Sequence, residues 1–169
     1  RSDTKNYQRL TGNQVALEPM GVFTFKKFSV CDDRSTMKVG TDAVLLGAWA
    51  EVDQAKTILD IGTGSGVIAI MMAQRSREET KIDAVEIQME DAQQASINVS
   101  NSPWPAKIKI SNNRIQDFFP GYKYDLIVCN PPFFSNSLLP PIEKRSKARH
   151  HTALCLDELI SATVRLLSP

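Results

Sequence analysis

One stretch of the sequence, residues 58–66, limits the possible folds more than any other. It reads Ile-Leu-Asp-Ile-Gly-Thr-Gly-Ser-Gly, a short apolar run followed by three alternating glycines. An apolar run of this length is typical of a buried strand, and the apolar residues after Ser65 recur at helical spacing. Glycines between a strand and a helix let a ligand lie against bare backbone at the helix N-terminus. The stretch therefore predicts an α/β fold with a ligand site where this strand ends.

Strand and helix patterns alternate along the rest of the chain. We predict strands over residues 57–61, 81–87, 107–111 and 124–129, and helices over residues 43–50, 65–75, 89–99 and 158–167. A β-ribbon between Val22 and Val30 comes first, with its turn near Lys26 and Lys27. Thr41 or Asp42 is expected to cap the first helix. Such alternation predicts a mostly parallel sheet with helices on both faces.

The composition is that of one soluble globular domain. Of the 169 residues, 42% are hydrophobic and 23% are charged, and the net charge is +1. Cys31, Cys129 and Cys155 are too far apart for a disulfide framework or a metal site, and no apolar run approaches the ~20 residues of a membrane span. We expect a cytoplasmic monomer without metal or membrane contact. Residues 1–21 are interpreted as a disordered tail or an expression remnant, which leaves residues 22–169 as the domain.

The acidic residue before the glycines argues against a dinucleotide ligand. Val67 stands where the dinucleotide fingerprint has Gly or Ala, and Asp60 would set a negative charge against a pyrophosphate. A cationic ligand without phosphates suits Asp60, Gly62 and Gly64 better. S-adenosylmethionine carries both an ammonium and a sulfonium group, so we expect it at this loop.

A second carboxylate supports a nucleoside ligand. Glu86 ends the next predicted strand, where it can accept hydrogen bonds from both ribose hydroxyls, and Ile87 beside it can pack against an adenine face. The alternative is that Asp60 and Glu86 are ordinary solvated strand ends. The spacing of the two acidic residues favours nucleoside binding.

The segment Asn130-Pro131-Pro132-Phe133 ends the last predicted strand. Neither proline can donate to a sheet, so the strand stops there and Asn130 lies at the carboxyl edge. An exocyclic amine conjugated to a ring is a poor nucleophile. The side-chain oxygen of Asn130 and the carbonyl of Pro131 can each accept one of its N–H groups and expose its lone pair, while Phe133 stacks on the flat substrate. An ordinary strand-ending turn is the alternative.

At these residues the chain resembles the class I, Rossmann-like S-adenosylmethionine-dependent methyltransferases that methylate amines. The segment Phe23 to Trp49, with Lys38-Val39-Gly40-Thr41-Asp42 at its centre, and the segment Asn98-x-x-x-Ser102-Pro103-Trp104 are similar to the bacterial tRNA-Val adenine-N6 methyltransferases. That family modifies the adenine next to the anticodon. The resemblance implies that residues of five segments hold the cofactor: Lys38, Thr41, Asp60, Gly62, Gly64, Glu86, Ile87, Asn113 and Asn130. It implies that the catalytic residues are Asn130, Pro131, Pro132 and Phe133.

Two features depart from that family. The family has an acidic residue after the third strand, which accepts the amine of the cofactor adenine. Arg114 stands in its place here, and Asn113 is expected to substitute. The family's sheet has seven strands, so residues 22–169 are expected to be a methyltransferase domain that lacks its C-terminal strands and has an open apolar edge.

A basic segment follows the Asn-Pro-Pro-Phe corner. By its position we expect four of its side chains to bind tRNA phosphates, namely Lys144, Arg145, Lys147 and Arg149. The alternative is a solvated loop. His150 and His151 have no partner at ligand spacing, so we predict no metal.

Other functions remain open from the sequence. Asn-Pro-Pro-aromatic corners also occur in enzymes that methylate a glutamine of release factors or guanine N2 of ribosomal RNA. A third alternative is a cofactor fold retained only to bind RNA.

Overall fold

The computed structural model describes residues 21–131 and 156–169. In chain order these residues form β1 (Val22–Thr24), β2 (Ser29–Cys31), α1 (Thr41–Trp49), β3 (Thr57–Ile61), α2 (Val67–Arg75), β4 (Lys81–Glu86), α3 (Met89–Ser100), β5 (Ile108–Asn112), β6 (Leu126–Cys129) and α4 (Leu156–Leu166). Short 3₁₀ turns lie at Pro105–Lys107 and Ile115–Asp117. None of the helices in these two ranges has the length and apolar content needed to cross a bilayer.

Four strands form one parallel sheet in the order β5-β4-β3-β6. The strand β3 therefore has later strands on both sides, and the direction of chain winding reverses between β3 and β6. In open α/β sheets ligands bind at the carboxyl ends of the strands beside such a reversal. The register there pairs Ile61 with Val85 of β4 and with Cys129 of β6. The predicted parallel sheet is confirmed.

Alternate residues of β3 face two separate cores. Ile58 belongs to a core shared with α1, α2 and α3, whereas Leu59 and Ile61 belong to one shared with α4. Side chains of a strand alternate between faces, so Asp60 points to the same side as Ile58 and lies beneath α2. Helices cover both faces, as the sequence predicted.

The β-ribbon is confirmed and packs on the side of α1, α2 and α3. Its strands pair antiparallel, with Val22 opposite Cys31, and the turn between them contains Lys26 and Lys27. The rings of Phe25 and Phe28, on either side of the turn, stack with centroids 4.4 Å apart.

Several element boundaries differ from the prediction. The predicted capping by Thr41 or Asp42 is wrong, because both residues lie inside α1 and Gly40 is the N-cap without a side-chain bond. The helix α2 begins at Val67 rather than at Ser65, because Gly66 has a left-handed φ of 83° that no helix can continue. The strand β6 begins at Leu126, and before it Tyr124 makes only an isolated parallel bridge with Leu167.

Candidate active site

The turn after β3 has left-handed backbone at each glycine. The φ angles of Gly62, Gly64 and Gly66 are 70°, 54° and 83°. A Cβ placed on Gly62 or Gly64 would meet no atom within 4 Å, whereas one on Gly66 would lie 3.3 Å from the Cβ of Ala95 in α3. A Cβ at Gly66 would therefore crowd α3. Gly62 and Gly64 instead leave open space beside the backbone, as a ligand cradle does.

Backbone hydrogen bonds hold this turn against the end of β4. The N–H groups of Gly62 and Thr63 both donate to the carbonyl of Val85, at 2.8 and 3.2 Å. The N–H of Gly66 donates to the carbonyl of Thr63 at 2.9 Å. These main-chain bonds thus hold part of the turn in shape without a ligand.

Asp60 lies directly beneath the turn and is fully buried. Its Oδ2 accepts a 2.6 Å hydrogen bond from the hydroxyl of Thr63, while its Oδ1 has no partner among the described residues. Burial raises the pKa of this carboxyl to about 7, and the negative charge of Glu86 raises it further against the opposing bond from Thr63. A buried carboxyl with a free acceptor atom favours a positive charge nearby.

Glu86 holds the turn from the other side. Its Oε2 accepts the N–H of Gly64 at 3.0 Å, and its Oε1 accepts the N–H of Gln88 at 2.9 Å. A carboxylate offers about four acceptor positions, so two remain for the hydroxyls of a ligand. Ile87, next in the chain, is 39% exposed and presents an apolar surface at the same edge.

Asparagines at the end of β5 are tied to the end of β4. Asn112 donates from its side chain to the carbonyls of Glu86 and Ile87 at 2.9 and 3.0 Å, a link that the sequence did not reveal. Asn113 donates its backbone N–H to the carbonyl of Glu86 at 3.0 Å, and its side-chain oxygen accepts the N–H of Arg114 at 2.8 Å. The side chain of Asn113 is thus engaged within its own loop.

Asn130 follows β6 at the edge where the glycine turn begins. Because Cys129 pairs with Ile61, the next residues of the two strands, Asn130 and Gly62, stand beside each other. Asn130 and Pro131 are both half-buried. Burial raises the pKa of the Cys129 thiol to about 12, and the charges of Asp60 and Glu86 raise it as well. The thiol therefore stays protonated in this acidic surrounding.

The segment between β2 and α1 is anchored through Asp32. The ammonium of Lys38 lies 3.6 Å from Oδ1 of Asp32, and the N–H of Val39 donates to its Oδ2 at 2.8 Å. Lys38 is accordingly directed towards Asp32. Thr41 is exposed as the first residue of α1.

Some predicted residues fall outside the part of the chain that the structure describes. They are residues 1–20 of the tail, the corner residues Pro132 and Phe133, the four basic residues Lys144, Arg145, Lys147 and Arg149, and the histidines His150 and His151. Within residues 21–131 and 156–169, no three His, Cys, Asp or Glu side chains form a group able to hold a metal ion.

Sequence reasoning missed a buried polar face on α3. Asp91, Gln94 and Asn98 are 5%, 3% and 3% exposed, and Asp91 and Asn98 bond to the backbone of the segment that contains β2. Their helical spacing was the available signal, because residues separated by three or four positions share a face. Polar residues at such spacing are usually read as a solvated face, which hid their role.

Known proteins similar to this chain are methyltransferases. The sequence profile of the methyltransferase small domain family matches residues 34–152. Three relatives are each named tRNA1(Val) (adenine(37)-N6)-methyltransferase. The one from Yersinia enterocolitica is 46% identical over 93% of this chain, the one from Aeromonas salmonicida 52% over 87%, and the one from Dyadobacter fermentans 47% over 87%. The chain covers 64%, 62% and 61% of them, which is less than two thirds of their length.

Solved structures of methyltransferases have the same fold. A methyltransferase from Thiobacillus denitrificans, solved with S-adenosylhomocysteine, aligns with a TM-score of 0.56 at 15% identity and covers 78% of this chain and 45% of its own. Protein arginine methyltransferase 10 of Arabidopsis thaliana aligns with a TM-score of 0.54 at 27% identity, over 76% of this chain and 32% of its own. These alignments support the class I sheet and helix arrangement described above.

Proposed function

Because the chain belongs to the methyltransferase small domain family, we propose that it binds S-adenosylmethionine and methylates the N6 amine of an adenine in tRNA. The observation that carries this proposal is the pairing of Ile61 with Cys129, which puts an open glycine turn and the Asn130-Pro131 corner side by side. Similarity to the named tRNA enzymes supports the choice of an adenine next to the anticodon of a valine tRNA as the target.

The residues at the glycine turn fit this cofactor. Gly62 and Gly64 leave the backbone open, and Glu86 keeps acceptor positions that suit the ribose hydroxyls. Ile87 supplies an apolar surface for the adenine. Asp60 is fully buried, so we propose that it acts through its charge, from beneath the turn, on the ammonium group of the cofactor. When bound, S-adenosylmethionine supplies an electrophilic methyl group.

Three further residues complete the proposed cofactor site. Lys38 belongs to the segment that Asp32 anchors, Thr41 begins the helix that follows it, and both would close over the cofactor from that side. Asn113 bonds to the backbone of Glu86, so it lies beside the proposed adenine position. Because its side-chain oxygen already accepts the N–H of Arg114, we propose that Asn113 contributes through its position in the loop.

The acceptor chemistry belongs to the corner after β6. The side-chain oxygen of Asn130 and the carbonyl oxygen of Pro131 each accept one N–H of the adenine amine, which moves the nitrogen towards a tetrahedral shape. Its lone pair would then face the methyl group of the cofactor. As the new N–C bond formed, the S–C bond would break to release S-adenosylhomocysteine, and the extra proton on the nitrogen would pass to solvent. No strong base is needed, and the gain comes from positioning and fixed acceptors. Pro132 and Phe133 are proposed to stiffen the corner and to stack on the base.

The tRNA itself is proposed to be held by charge next to the corner. Lys144, Arg145, Lys147 and Arg149 would contact phosphates, which makes binding sensitive to salt. A tRNA substrate is met in the cytoplasm, so we extend the proposal to a cytoplasmic protein that acts as a monomer.

The test incubates the protein with labelled S-adenosylmethionine and unmodified total tRNA, followed by digestion and mass identification of the methylated nucleoside. We expect N6-methyladenosine. Asn130→Ala should lower turnover by about 10²–10³-fold, because it removes one fixed acceptor. Asn101→Ala, at the exposed end of α3, is the matched control and should keep full activity.

Other products would overturn the substrate assignment. Label in a glutamine of a release factor, or in guanine N2 of ribosomal RNA, would move the protein to one of those two reactions. Binding of S-adenosylhomocysteine without transfer to any of these acceptors would leave a cofactor-binding fold without this activity.

A further inference from the structure

The carboxamide of Asn98 joins two segments that are distant in the sequence. Its Oδ1 accepts the N–H of Cys31 at 2.9 Å, and its Nδ2 donates to the carbonyls of Cys31 and Ser65 at 2.7 and 2.8 Å. Cys31 ends β2, and Ser65 lies within the glycine turn. One buried side chain on α3 thus holds both the ribbon and the turn.

The bonding capacity of Asn98 is fully used by these contacts. A carboxamide has two N–H donors and one carbonyl acceptor, and both donors and the acceptor are engaged. The Nε2 of Gln94 adds a longer contact of 3.4 Å to the same oxygen. An aspartate of the same size could accept from Cys31 but could donate to neither carbonyl, so the chemistry requires an amide.

The segment after β2 has a second anchor on α3. Thr36 donates its N–H to Oδ1 of Asp91 at 2.8 Å, and Asp91 lies in the first turn of α3, just after Glu86 and Ile87. Between this anchor and Val39 the side chain of Met37 is 50% exposed. Residues 31–39 are therefore tied to α3 at two points, by Cys31 beside the glycine turn and by Thr36 at the first turn of the helix.

From this arrangement we infer that Asn98 is a positioning residue for cofactor binding, which couples residues 31–39 to the glycine turn. The inference rests on the proposed function, since it concerns the same cofactor. Asn98 acts through backbone carbonyls of both segments, so losing its amide removes the bonds to Cys31 and to Ser65 at once. Replacing Asn98 should therefore weaken cofactor binding more than a substitution elsewhere that lowers stability by the same amount.

The first test compares Asn98→Asp with a control variant that loses similar bonds elsewhere. Lys107 donates to the carbonyls of Ala73 and Ser76, at 2.7 and 3.1 Å, at the far end of α2. Lys107→Met should lower stability but leave the affinity for S-adenosylhomocysteine unchanged. Asn98→Asp should lower that affinity by about tenfold or more. In methyl transfer it should raise the KM for S-adenosylmethionine and leave kcat at saturation largely intact.

The second test uses the unaltered protein and does not depend on a variant folding. Hydrogen exchange of backbone amides is followed with and without S-adenosylhomocysteine. We expect binding to slow exchange at Cys31 and Thr36 together with Gly64, because α3 holds Cys31 and Thr36 through Asn98 and Asp91 and holds the glycine turn through Asn98.

The outcomes separate this inference from the proposed function. Protection of Gly64 without protection of Cys31 and Thr36, or equal affinity in Asn98→Asp and Lys107→Met, would overturn the coupling and leave the proposed function standing. An unaltered protein that binds no S-adenosylhomocysteine would overturn the proposed function, and the inference with it.

Discussion

Asp60 is subject to two opposing influences. Burial favours its neutral form, whereas the hydrogen bond from Thr63 favours the ionised form. Burial has the larger effect and raises the pKa to about 7. Near neutral pH the carboxyl is thus close to half protonated. A positive charge at the glycine turn would favour the ionised form, so binding a cation there should release a proton.

We predict that Asp60 makes stability depend on pH. The folded protein holds this proton more tightly than the unfolded chain, so its stability should fall as pH rises from about 4 to about 7 and level off above that. In Asp60→Asn this contribution is absent. As the pH rises from about 4 to about 7, the free energy of unfolding of Asp60→Asn should therefore increase by up to about 4 kcal/mol relative to that of the unaltered protein. Urea unfolding at several pH values measures it.

A second variant checks the cause. Thr63→Val removes the donor that favours the ionised carboxylate, so the upper end of the pH interval should move higher. If the free energy of unfolding changed with pH in the same way in the unaltered protein and in both variants, Asp60 would not be the source of the pH dependence.

The glycine turn combines two different demands on its residues. All three glycines have positive φ, which costs other residues about 1–2 kcal/mol. Of the three, only Gly66 would also bring a Cβ into a tight contact, 3.3 Å from the Cβ of Ala95 in α3. Within this one turn, the cost of a positive φ can therefore be measured separately from the cost of crowding by an added Cβ.

Alanine substitutions at the three positions should give two kinds of variant. We expect Gly66→Ala to lower the free energy of unfolding more than either of the others, by about 2–3 kcal/mol. Gly62→Ala and Gly64→Ala should cost about 1–2 kcal/mol but weaken S-adenosylhomocysteine binding strongly, because the new methyl group occupies the open cradle. Denaturant unfolding and ligand titration of each variant measure both effects. Equal losses of affinity at all three positions would contradict the distinction.

The two tyrosines before β6 share one buried carboxylate. Both Tyr122 and Tyr124 donate to Oδ2 of Asp83 in β4, the latter at 2.6 Å, and Tyr124 is fully buried. Burial and the charge of Asp83 raise the pKa of both hydroxyls, which keeps them protonated as donors. The link spans β3 and ties the start of β6 to the sheet.

A double-mutant cycle should reveal how these donors cooperate. Tyr122→Phe or Tyr124→Phe alone leaves Asp83 one donor, so each should cost about 1 kcal/mol of stability. The double variant leaves the carboxylate without either hydroxyl and should cost more than the two single changes together, by about 1–2 kcal/mol. Additive losses in urea unfolding would mean that the shared acceptor is unimportant.

The fold of the whole molecule was largely predictable, because its main signals are local. Apolar runs and helical spacing gave the alternating elements, and a strand that ends in glycines fixed where a ligand could lie. The cap at Gly40 was missed because it uses no side chain, although Thr41 and Asp42 have the preferred chemistry. The start of α2 was missed because a backbone angle at Gly66 decides it.

Contacts between distant segments were not predictable in this way. The bond from Cys31 to Asn98 spans 67 residues, and that from Thr36 to Asp91 spans 55. Such pairs leave no periodic trace in one sequence. Asp60 and Glu86 could be identified because each lies in a strand near its carboxyl end, whereas Asn98 acquires its role only when the ribbon packs on α3.

The pairing of Ile61 with Cys129 has a consequence for how such a protein can change over time. Main-chain hydrogen bonds set the spacing between the glycine turn and the corner after β6, at about the 4.8 Å between neighbouring strands. Side chains do not set that distance. A lineage built on this pairing can therefore exchange side chains on either strand while the glycine turn and the corner after β6 keep their spacing.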